Sequence, residues 1–382
     1  MNEVFHLYIH LPFCASRCEY CDFYSTTDAL GLAPAYVESL LGELEEADAC
    51  LGQLKTVYLG GGTPTLLGVE LLGKLLEAVR VRTAAGAEIT VEANPSTITP
   101  ELAAALKEAG VNRVSLGVQS FNERLRRNLG RAGGAGAVAR AVAGLRGGGI
   151  DNLGLDLIFG IPGQSLDDLK EDLRRALELA PPHLSCYELS VKEGGDYQKR
   201  WAGELEQTAK SGPRFYETVV DTLEDAGYRW YETSNFAVPG MQCRQNLAYW
   251  SGADYVGIGA GAWSTVRSKR WRNVEDVQRY AKCGGGFAGD RRQEELTTAQ
   301  KTAERLLLGL RRDSGVSLAG LQAVIDPNQQ NLLQRNGFLK IEGDRMYLTR
   351  AGRYVANEVC ARLLLSWEDT AQTGGSGARP TP

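Results

Sequence analysis

The sequence is poor in two metal-ligating residue types and contains no long apolar run. Three of its 382 residues are His and three are Met. No stretch approaches the roughly eighteen apolar residues that a membrane span requires. The N-terminus shows no basic segment followed by an apolar one, the pattern of a secretory signal. These absences predict a cytoplasmic protein without a transmembrane segment, and they leave peripheral membrane contact open.

An excess of charge of one sign is also missing. The chain carries 42 basic and 47 acidic residues, a net charge of −5, so no overall field favours nucleic acid. A disulfide framework is equally unsupported, because three of the eight cysteines are clustered and the other five are scattered. The composition therefore indicates a globular protein of a reducing compartment that does not bind nucleic acid.

The cysteine cluster is the most informative stretch of the sequence. Cys14, Cys18 and Cys21 follow the apolar strand predicted over residues 4–11, at C-x₃-C-x₂-C spacing. Three thiolates can hold three irons of a 4Fe–4S cluster and leave the fourth iron open to a small molecule. A structural zinc site, a disulfide pair and chance are the alternatives. Zinc requires four ligands, and no second cysteine pair follows, so the cluster is favoured.

Strand and helix patterns alternate six times over roughly the first 190 residues, and each strand is apolar along most of its length. This pattern predicts an α/β fold with a parallel sheet, in the form of an open, partial (β/α)₆ barrel. In barrels the functional residues lie in the loops after the strands. The cysteines and several polar or glycine-rich positions occupy such places, namely Gly60–Thr65, Glu92, Gln119 and Asp156.

The second half of the chain has a different pattern. A helix is predicted from Pro213 to Ala226, and the Gly-rich stretch 257–261 is interpreted as close backbone packing because its spacing does not suit a dinucleotide site. Two helices and a β-hairpin after residue 297 predict an α+β, winged-helix-like module. Modules of this kind can bind DNA, but this one lacks the basic excess that DNA binding requires. The predicted divisions are a barrel over 1–195, a connecting region over 196–295, the module over 296–368 and a disordered tail over 369–382.

An open iron can chelate the amino and carboxylate groups of S-adenosylmethionine, and reduction then yields radical chemistry. The glycines at 60–62 would let the backbone approach this cofactor closely. Glu92 can contact its sulfonium or ribose, Arg131 its carboxylate, and Asp156 its ribose or amino group. Each of these residues, taken alone, could equally serve as a helix cap or a surface ion pair.

Six motifs carry a resemblance to a known family. They are Tyr-Ile-His-Leu-Pro-Phe-Cys with the cysteine cluster, Gly-Gly-Gly-Thr-Pro-Thr, Val-Glu-Ala-Asn-Pro, Leu-Gly-Val-Gln-Ser-Phe, Leu-Gly-Arg and Asp-Leu-Ile-Phe-Gly-Ile-Pro-Gly-Gln. In order and content they resemble the radical-SAM family of oxygen-independent coproporphyrinogen III oxidase and its relatives. Phe23 stands where the oxidases carry a fourth cysteine, which resembles the haem-chaperone branch. The resemblance extends from about Val4 to Arg353.

The resemblance implies a 4Fe–4S cluster on the three clustered cysteines, S-adenosylmethionine, and haem delivery to acceptor proteins without coproporphyrinogen oxidation. The positions that match the surroundings of the cofactor are Tyr8, Phe23, Gly61, Gly62, Thr63, Glu92, Gln119, Arg131 and Asp156. His10 matches a position near the reaction centre, and a packed histidine that only supports the cluster loop is the alternative.

The sequence departs from the family where haem ligation is expected. The family motif His-Asn-x-x-Tyr-Trp begins here with Gln245, followed by Asn246, Tyr249 and Trp250. The histidine of Gly-Ala-His-Ser is Trp263. Cys243 and Met241, beside this motif, could replace the missing imidazole as haem ligands, and for Cys243 a plain buried thiol is the alternative interpretation.

Three functions remain open from the sequence. They are a radical-SAM haem chaperone, a true radical-SAM enzyme acting on a porphyrin or another substrate, and a non-catalytic binding module that keeps the cluster for assembly. The resemblance also implies a reductant such as flavodoxin or ferredoxin and is compatible with a homodimer.

Overall fold

The computed structural model describes residues 3–131, 133–283 and 291–365. The predicted tail over 369–382 lies outside these ranges. The chain divides into two compact units, the first formed by residues 1–229, 234–245 and 254–294 and the second by residues 230–233, 246–253 and 295–382. The boundaries proposed from the sequence at 195 and 295 stay predictions.

Six parallel strands form the centre of the first unit, as the alternating pattern predicts. They are β1 (Val4–Leu11), β2 (Leu51–Gly61), β3 (Thr83–Ala93), β4 (Arg113–Gln119), β5 (Leu153–Phe159) and β6 (His183–Glu188). Each pairs in parallel with the next one along the chain. Their carboxyl ends therefore meet at one rim, where the cysteine loop and the polar loop residues were expected.

Helices cover the outer face of this sheet and alternate with the strands. They are α1 (Ala33–Ala47), α2 (Gly68–Arg80), α3 (Pro100–Glu108), α4 (Glu123–Asn128), α5 (Gly136–Gly147) and α6 (Leu166–Glu178). Ser165 begins α6 with a capping box that Asp168 completes, which satisfies N–H groups at the helix start. Apolar side chains of β1 at Leu7, Ile9 and Leu11 are fully buried toward this layer. The alternation of buried apolar positions places the intervening polar side chains inside the barrel.

Later parts of the chain extend the sheet on both sides. After α7 (Asp196–Arg200) and α8 (Ala202–Asp225) come β7 (Arg229–Trp230), β8 (Asn235–Ala237), α9 (Arg244–Trp250) and β9 (Val256–Ile258). The strand order is β7-β8-β6-β5-β4-β3-β2-β1-β9, with β8 antiparallel to β6 and β9 parallel to β1. These short strands were not predicted, because two or three residues are too few to show a period.

A second, three-stranded sheet and one helix complete the first unit. The strands are β10 (Trp263–Val266), β11 (Lys269–Arg272) and β12 (Arg292–Glu295), and the helix is α10 (Val277–Cys283). The predicted close packing of the Gly-rich stretch 257–261 is confirmed. A Cβ on Gly257 would lie 2.1 Å from the Trp263 carbonyl oxygen, and one on Gly259 would lie 2.5 Å from that of His10. Glycine is therefore required at both positions.

The predicted start of a helix at Pro213 is wrong. Helix α8 begins at Ala202, and Pro213 lies inside it. A proline removes one N–H donor and usually marks a helix start, which is why the sequence indicated a boundary there. The helix continues because buried Phe215, Val219 and Leu223 hold its later turns.

The second unit contains an α+β arrangement with its own core. Its elements are α11 (Thr298–Leu310), β13 (Val316–Ser317), α12 (Pro327–Arg335), β14 (Leu339–Glu342), β15 (Arg345–Leu348), α13 (Arg350–Tyr354) and α14 (Ala356–Leu363). The antiparallel pair β14–β15 is the predicted hairpin. Leu306, Leu310, Leu321 and Met346 are fully buried in one apolar cluster. No helix in the described part of either unit has the length and apolarity to cross a membrane.

Polar side chains inside the barrel form rows across neighbouring strands. His6, Thr56 and Glu88 are aligned on β1, β2 and β3 near the amino ends of these strands. Tyr8, Tyr58 and Thr90 form the next row toward the carboxyl ends. The barrel interior is therefore polar along its length, and its two ends can be considered separately.

Candidate cofactor site

The cysteine loop is tied to the sheet at its base. Strand β1 ends at Leu11, and Phe13 and Thr26 form a parallel bridge on the two sides of the loop. The Cys14 N–H donates to the Thr26 carbonyl at 2.9 Å, and the Thr26 N–H donates to Pro12 at 2.8 Å. The Glu19 N–H reaches the Leu129 carbonyl at 3.2 Å. The loop thus has a fixed entry and exit, while the segment between them carries the three thiols.

The three cysteines form no disulfide and line one cavity of about 540 Å³. Burial raises the pKa of Cys14 and of Cys21, although hydrogen bonds from Thr63 and Ser25 act in the opposite direction on Cys14. Iron binding would therefore have to displace protons from these thiols. The described residues contain no group of three His, Cys, Asp or Glu side chains placed to hold one metal ion. A 4Fe–4S cluster is held differently, since each thiolate binds a separate iron.

Arg131 brings a positive charge to this loop. Its Nη1 lies 3.6 Å from the Cys18 Sγ, and its Nη2 donates to the Gly117 carbonyl at 2.6 Å. Its Nε is buried and has no hydrogen-bond partner among the described residues. Soft sulfur donors, a cavity beside them and a cation fit an anionic iron–sulfur cluster and a carboxylate-bearing cofactor.

Gly61 and Gly62 border the cavity next to the cysteines, and we call these two residues the glycine shelf. The Gly62 and Thr63 N–H groups donate to Leu11 and Phe13 at 2.9 and 2.7 Å. A Cβ on Gly62 would lie 2.6 Å from the Phe13 carbonyl oxygen, which is too close for any side chain. Gly61 has a φ of 108°, and a Cβ there would overlap the His10 ring at 2.4 Å. Only glycine allows this close approach of β2 to the cysteine loop.

Glu92 lies beside the glycine shelf, near the end of β3. Its carboxylate accepts hydrogen bonds from the Tyr58 hydroxyl at 2.8 Å and from the Gly61 N–H at 3.1 Å. Burial raises the pKa of Glu92 to about 7, and the nearby charge of Asp156 acts in the same direction. A cationic ligand in the cavity would favour the ionised form.

Asp156 and Gln119 occupy the next two strands. Burial raises the pKa of Asp156, while hydrogen bonds from Ser185 and Ser115 oppose the shift. Gln119 has a φ of 69° at a register irregularity that ends β4. A Cβ on Gly117 would lie 2.9 Å from Arg131 Nη2 and 3.0 Å from Gln119 Nε2. Gly117 therefore makes room for both side chains, a role that sequence reasoning missed.

Tyr8 and His10 do not belong to the described residues that line the cavity. The Tyr8 hydroxyl and the His10 Nδ1 are 2.9 Å apart, and the His10 Nε2 donates to the Tyr24 carbonyl at 2.9 Å. Burial lowers the pKa of His10 to about 4, so the ring is neutral at pH 7. Both ring nitrogens are thus occupied. In this arrangement His10 supports the segment after the cysteines.

The predicted haem-motif residues lie elsewhere. Cys243 is 1% exposed, and its thiol lies 3.6 Å from the Glu88 Oε1. Gln245 is fully buried and accepts a hydrogen bond from the Thr56 hydroxyl. Both belong to the first unit, whereas Asn246, Tyr249 and Trp250 belong to the second. Within that second unit, the Arg311 guanidinium lies 5.5 Å from the centre of the Trp250 ring.

The structure thus brings the predicted cluster and cofactor residues together, except for Tyr8 and His10, which do not line the cavity. Tyr58 and Ser115, which hold the carboxylates of Glu92 and Asp156, were missed by the sequence analysis. Tyr58 lies on the inner face of β2, two residues before the glycine-rich stretch that begins at Gly60, and this position could have identified it. The cavity is lined by the three cysteines and by Phe23, Gly61, Gly62, Thr63, Glu92, Gln119, Arg131 and Asp156.

Comparison with known proteins agrees with this geometry. The sequence model described as "Radical SAM superfamily" matches residues 8–176. The fold is similar to that of coproporphyrinogen III oxidase (HemN) from Escherichia coli, with a TM-score of 0.75 at 21% identity over 94% of this chain and 90% of the other. The fold and the site therefore define a radical SAM protein, a class that uses a 4Fe–4S cluster and S-adenosylmethionine.

Curated relatives identify the family to which the chain belongs within this class. "Heme chaperone HemW" of Mycobacterium tuberculosis (strain CDC 1551 / Oshkosh) is 39% identical over 376 residues, which are 95% of each chain. The proteins of the same name from Escherichia coli and Bacillus subtilis are each 37% identical, and they align with 94% of this chain and with 97% and 98% of their own. The chain belongs to the HemW family.

Proposed function

We propose that this protein is a haem chaperone that binds a 4Fe–4S cluster, S-adenosylmethionine and haem and delivers haem to acceptor proteins. Its similarity to proteins named heme chaperones, over almost the whole of both chains, is the observation that carries this proposal. Phe23 stands at the position where the oxygen-independent coproporphyrinogen III oxidases carry a fourth cysteine. This difference supports a function without coproporphyrinogen oxidation.

We assign the cluster to Cys14, Cys18 and Cys21. When bound, the cluster and S-adenosylmethionine together supply one-electron radical chemistry. The chain's own part is to bind and orient them. Arg131, beside the Cys18 sulfur, offsets the negative charge of the thiolates and can receive a carboxylate.

We assign S-adenosylmethionine to the cavity beside the cysteines. The glycine shelf leaves space for its amino-acid portion, and Glu92 and Asp156 present carboxylates to cationic or hydroxyl groups. Since burial alone disfavours the ionised form of Glu92, a cationic ligand and this carboxylate should stabilise each other. Gln119, Thr63 and Phe23 line the same cavity. Tyr8 and His10 do not line it; they contact each other, and His10 holds the Tyr24 carbonyl in the segment after the cysteines.

A true radical-SAM enzyme acting on a porphyrin or another substrate is the second candidate function. The observation that favours it is the intact cofactor site, in which nearly all of the predicted residues surround one cavity. The two functions differ in turnover. An enzyme forms 5′-deoxyadenosine and methionine in proportion to a changed substrate, whereas a chaperone binds and releases haem unchanged.

The test is anaerobic reconstitution of the cluster, followed by hemin titration with and without S-adenosylmethionine and by a 5′-deoxyadenosine assay. Saturable hemin binding with a shifted Soret band and little 5′-deoxyadenosine is the expected result. Reductant-driven cleavage without hemin binding would reject the chaperone function and favour the enzyme. If hemin binds, transfer of the bound haem to an apo-acceptor would be measured by the acceptor's own spectrum.

The partners follow from the proposed function. A reductant such as flavodoxin or ferredoxin would supply electrons to the cluster, and haem proteins would be the acceptors. The homodimer, the peripheral membrane contact and the cytoplasmic location remain predictions.

A further inference from the structure

Gln119, which lines the cofactor cavity, lies at the centre of a strained backbone turn. The Ser120 N–H donates to the Val118 carbonyl at 2.9 Å, so the turn encloses Gln119 alone, and Gln119 has a φ of 69°. This combination is the rare, strained form of the three-residue γ-turn. A non-glycine residue keeps such a conformation only where the surrounding structure holds it. The contacts on either side of Gln119 should therefore show what holds the turn.

The buried guanidinium of Arg126 holds the backbone on both sides of Gln119. Its Nη1 donates to the Val118 carbonyl at 2.6 Å and to the Ser120 carbonyl at 3.1 Å. Arg126 lies on α4 and is 3% exposed, so water does not compete for these hydrogen bonds. The Val118 carbonyl thus accepts both the hydrogen bond that closes the turn and one from Arg126.

The same guanidinium also holds the segment that follows Arg131. The Arg126 Nε and Nη2 donate to the Gly133 carbonyl at 3.1 and 2.8 Å. The Arg131 and Gln119 side chains lie next to each other over Gly117, as the space around that glycine shows. One buried side chain therefore fixes the backbone near both of these cavity-lining residues.

A buried carboxylate fixes the chain immediately after the turn. Asp172, which lies on α6 and is 2% exposed, accepts hydrogen bonds from the Ser120 hydroxyl at 2.6 Å and from the Phe121 N–H at 2.7 Å. Neither Asp172 nor Arg126 belongs to the described residues that line the cavity. The two side chains thus act on the end of β4 from the helix layer, behind the residues that face the cofactor.

A guanidinium is suited to this task, whereas an ammonium is not. Arginine carries five N–H donors in a planar fork, and lysine carries three donors on one atom. In Arg126 the carbonyls of Val118 and Ser120 are bound by Nη1, while that of Gly133 is bound by the opposite edge, Nε and Nη2. A single ammonium therefore cannot replace both edges of the fork.

We infer that Arg126 and Asp172 are positioning residues of the S-adenosylmethionine site, which hold the strained turn at Gln119, and that Arg126 also sets the place of Arg131. This inference rests on the proposed binding of S-adenosylmethionine in the cavity. The cluster ligands come from a different loop, so a substitution of Arg126 should weaken cofactor binding at unchanged iron content.

Binding of S-adenosylmethionine to the reconstituted protein tests this role. Arg126→Lys is compared with Arg127→Lys, the neighbouring, exposed arginine of α4. We expect about tenfold weaker binding in Arg126→Lys, with the full iron content, and no change in Arg127→Lys. The EPR change that the cofactor causes in the reduced cluster should require correspondingly more cofactor. Ser120→Ala, which loses the hydroxyl bound by Asp172, is the milder second variant and should bind about two- to fivefold more weakly.

A double-mutant cycle separates positioning from a general weakening of the fold. Gln119→Ala removes the side chain that faces the cofactor, and Arg126→Lys is then added to it. If Arg126 acts through Gln119, the affinity loss of the double variant should be clearly smaller than the product of the two single losses. Losses that multiply would show independent action and would overturn the inference.

Glycine at position 119 tests the strain itself. Gln119→Gly and Gln119→Ala both lack the long side chain, but only glycine adopts a positive φ without a steric cost. Gln119→Gly should therefore unfold at a higher temperature than Gln119→Ala, the reverse of the usual order of these two residues. A more stable alanine variant would show that the turn is not strained and needs no support from Arg126.

The outcomes distinguish this inference from the proposed function. Absence of S-adenosylmethionine binding by the wild type with a full cluster would reject the proposed cofactor site and the inference together. Wild-type affinity in both Arg126→Lys and Ser120→Ala would reject only the positioning role. Iron loss in Arg126→Lys in proportion to the lost cofactor binding would also reject it, because Arg126 would then act on the cysteine loop.

Discussion

The two ends of the barrel interior are built from similar polar residues but differ in how these residues are satisfied. At the carboxyl end, Glu92 and Asp156 border an open cavity, and burial raises the pKa of each. At the amino end, Glu88 is 5% exposed and accepts two backbone N–H groups from residues 244 and 245. One end leaves polar groups available to a ligand, whereas the other uses them to anchor a chain segment.

The difference shows how a polar barrel interior can serve two purposes. Glycines at the carboxyl end remove side-chain volume so that a cofactor can approach the backbone. At the amino end, hydrogen bonds among Thr56, Gln245 and His6 replace solvent and fix side-chain orientation. A substitution at the carboxyl end should therefore affect mainly ligand binding. A substitution at the amino end should affect mainly folding stability or the orientation of the His6 ring.

The largest expected effect comes from Cys18→Ala at the carboxyl end. One iron of the cluster would lose its thiolate, so we expect the reconstituted protein to lose the 4Fe–4S absorbance and all cleavage of S-adenosylmethionine. Iron content and EPR spectra measure this. Cys50→Ala, a half-buried cysteine outside the loop, should retain the full cluster. Four irons per chain in Cys18→Ala would contradict the assigned ligand set.

Gly62→Ala should have the next largest effect. The added Cβ meets two backbone oxygens, of Phe13 at 2.6 Å and of Leu11 at 2.8 Å, which cannot rotate away. We expect a loss of about 1–3 kcal/mol in unfolding free energy and at least about tenfold weaker binding of S-adenosylmethionine. Denaturant unfolding and calorimetric titration measure the two effects. Gly73→Ala, in α2 with open space around it, should be neutral or stabilising. Equal behaviour of the two variants would disprove the steric role of Gly62.

Glu92→Gln should change how stability depends on pH. The folded pKa of Glu92 is about 7, above its ordinary value of 4.5, so the folded state keeps the proton longer. Between these pH values the wild type loses stability as pH rises, by at most about 3 kcal/mol, and the loss persists above pH 7. The glutamine variant lacks this loss.

Unfolding of the ligand-free protein at several pH values tests this prediction. The stability of Glu92→Gln relative to the wild type should increase from pH 4.5 to pH 7 and stay constant above it. Glu70→Gln, on the exposed surface of α2, controls for the substitution itself. A difference that is independent of pH would show that burial does not raise the Glu92 pKa.

Thr56→Val at the amino end should have the smallest effect. Valine has nearly the same shape but removes the hydroxyl between His6 and Gln245, so we expect about 1–2 kcal/mol lower stability and an unchanged cluster. Thr56→Ser retains the hydroxyl and should behave like the wild type. Thermal unfolding and cluster absorbance provide the comparison. Loss of the cluster in Thr56→Val would show that the two ends are not independent.

Much of the carboxyl end could be predicted from the sequence because its residues occur in short motifs directly after strands. Cys14, Gly62 and Glu92 were each identified in this way. The amino end could not be predicted, since Thr56 and Gln245 are 189 positions apart and no local pattern relates them. The role of His10 was also open, because a motif gives a residue's place but not which partners occupy its ring nitrogens.

The position of β1 between two strands that are distant in sequence affects folding during synthesis. Its partner on one side is β2, but its other neighbour, β9, comes from residues 256–258. While the ribosome is still making the middle of the chain, β1 is an edge strand with unpaired backbone groups, open to pairing with other nascent chains. Strand β1, which precedes the cysteine loop, therefore acquires its second neighbour only after β9 has been made.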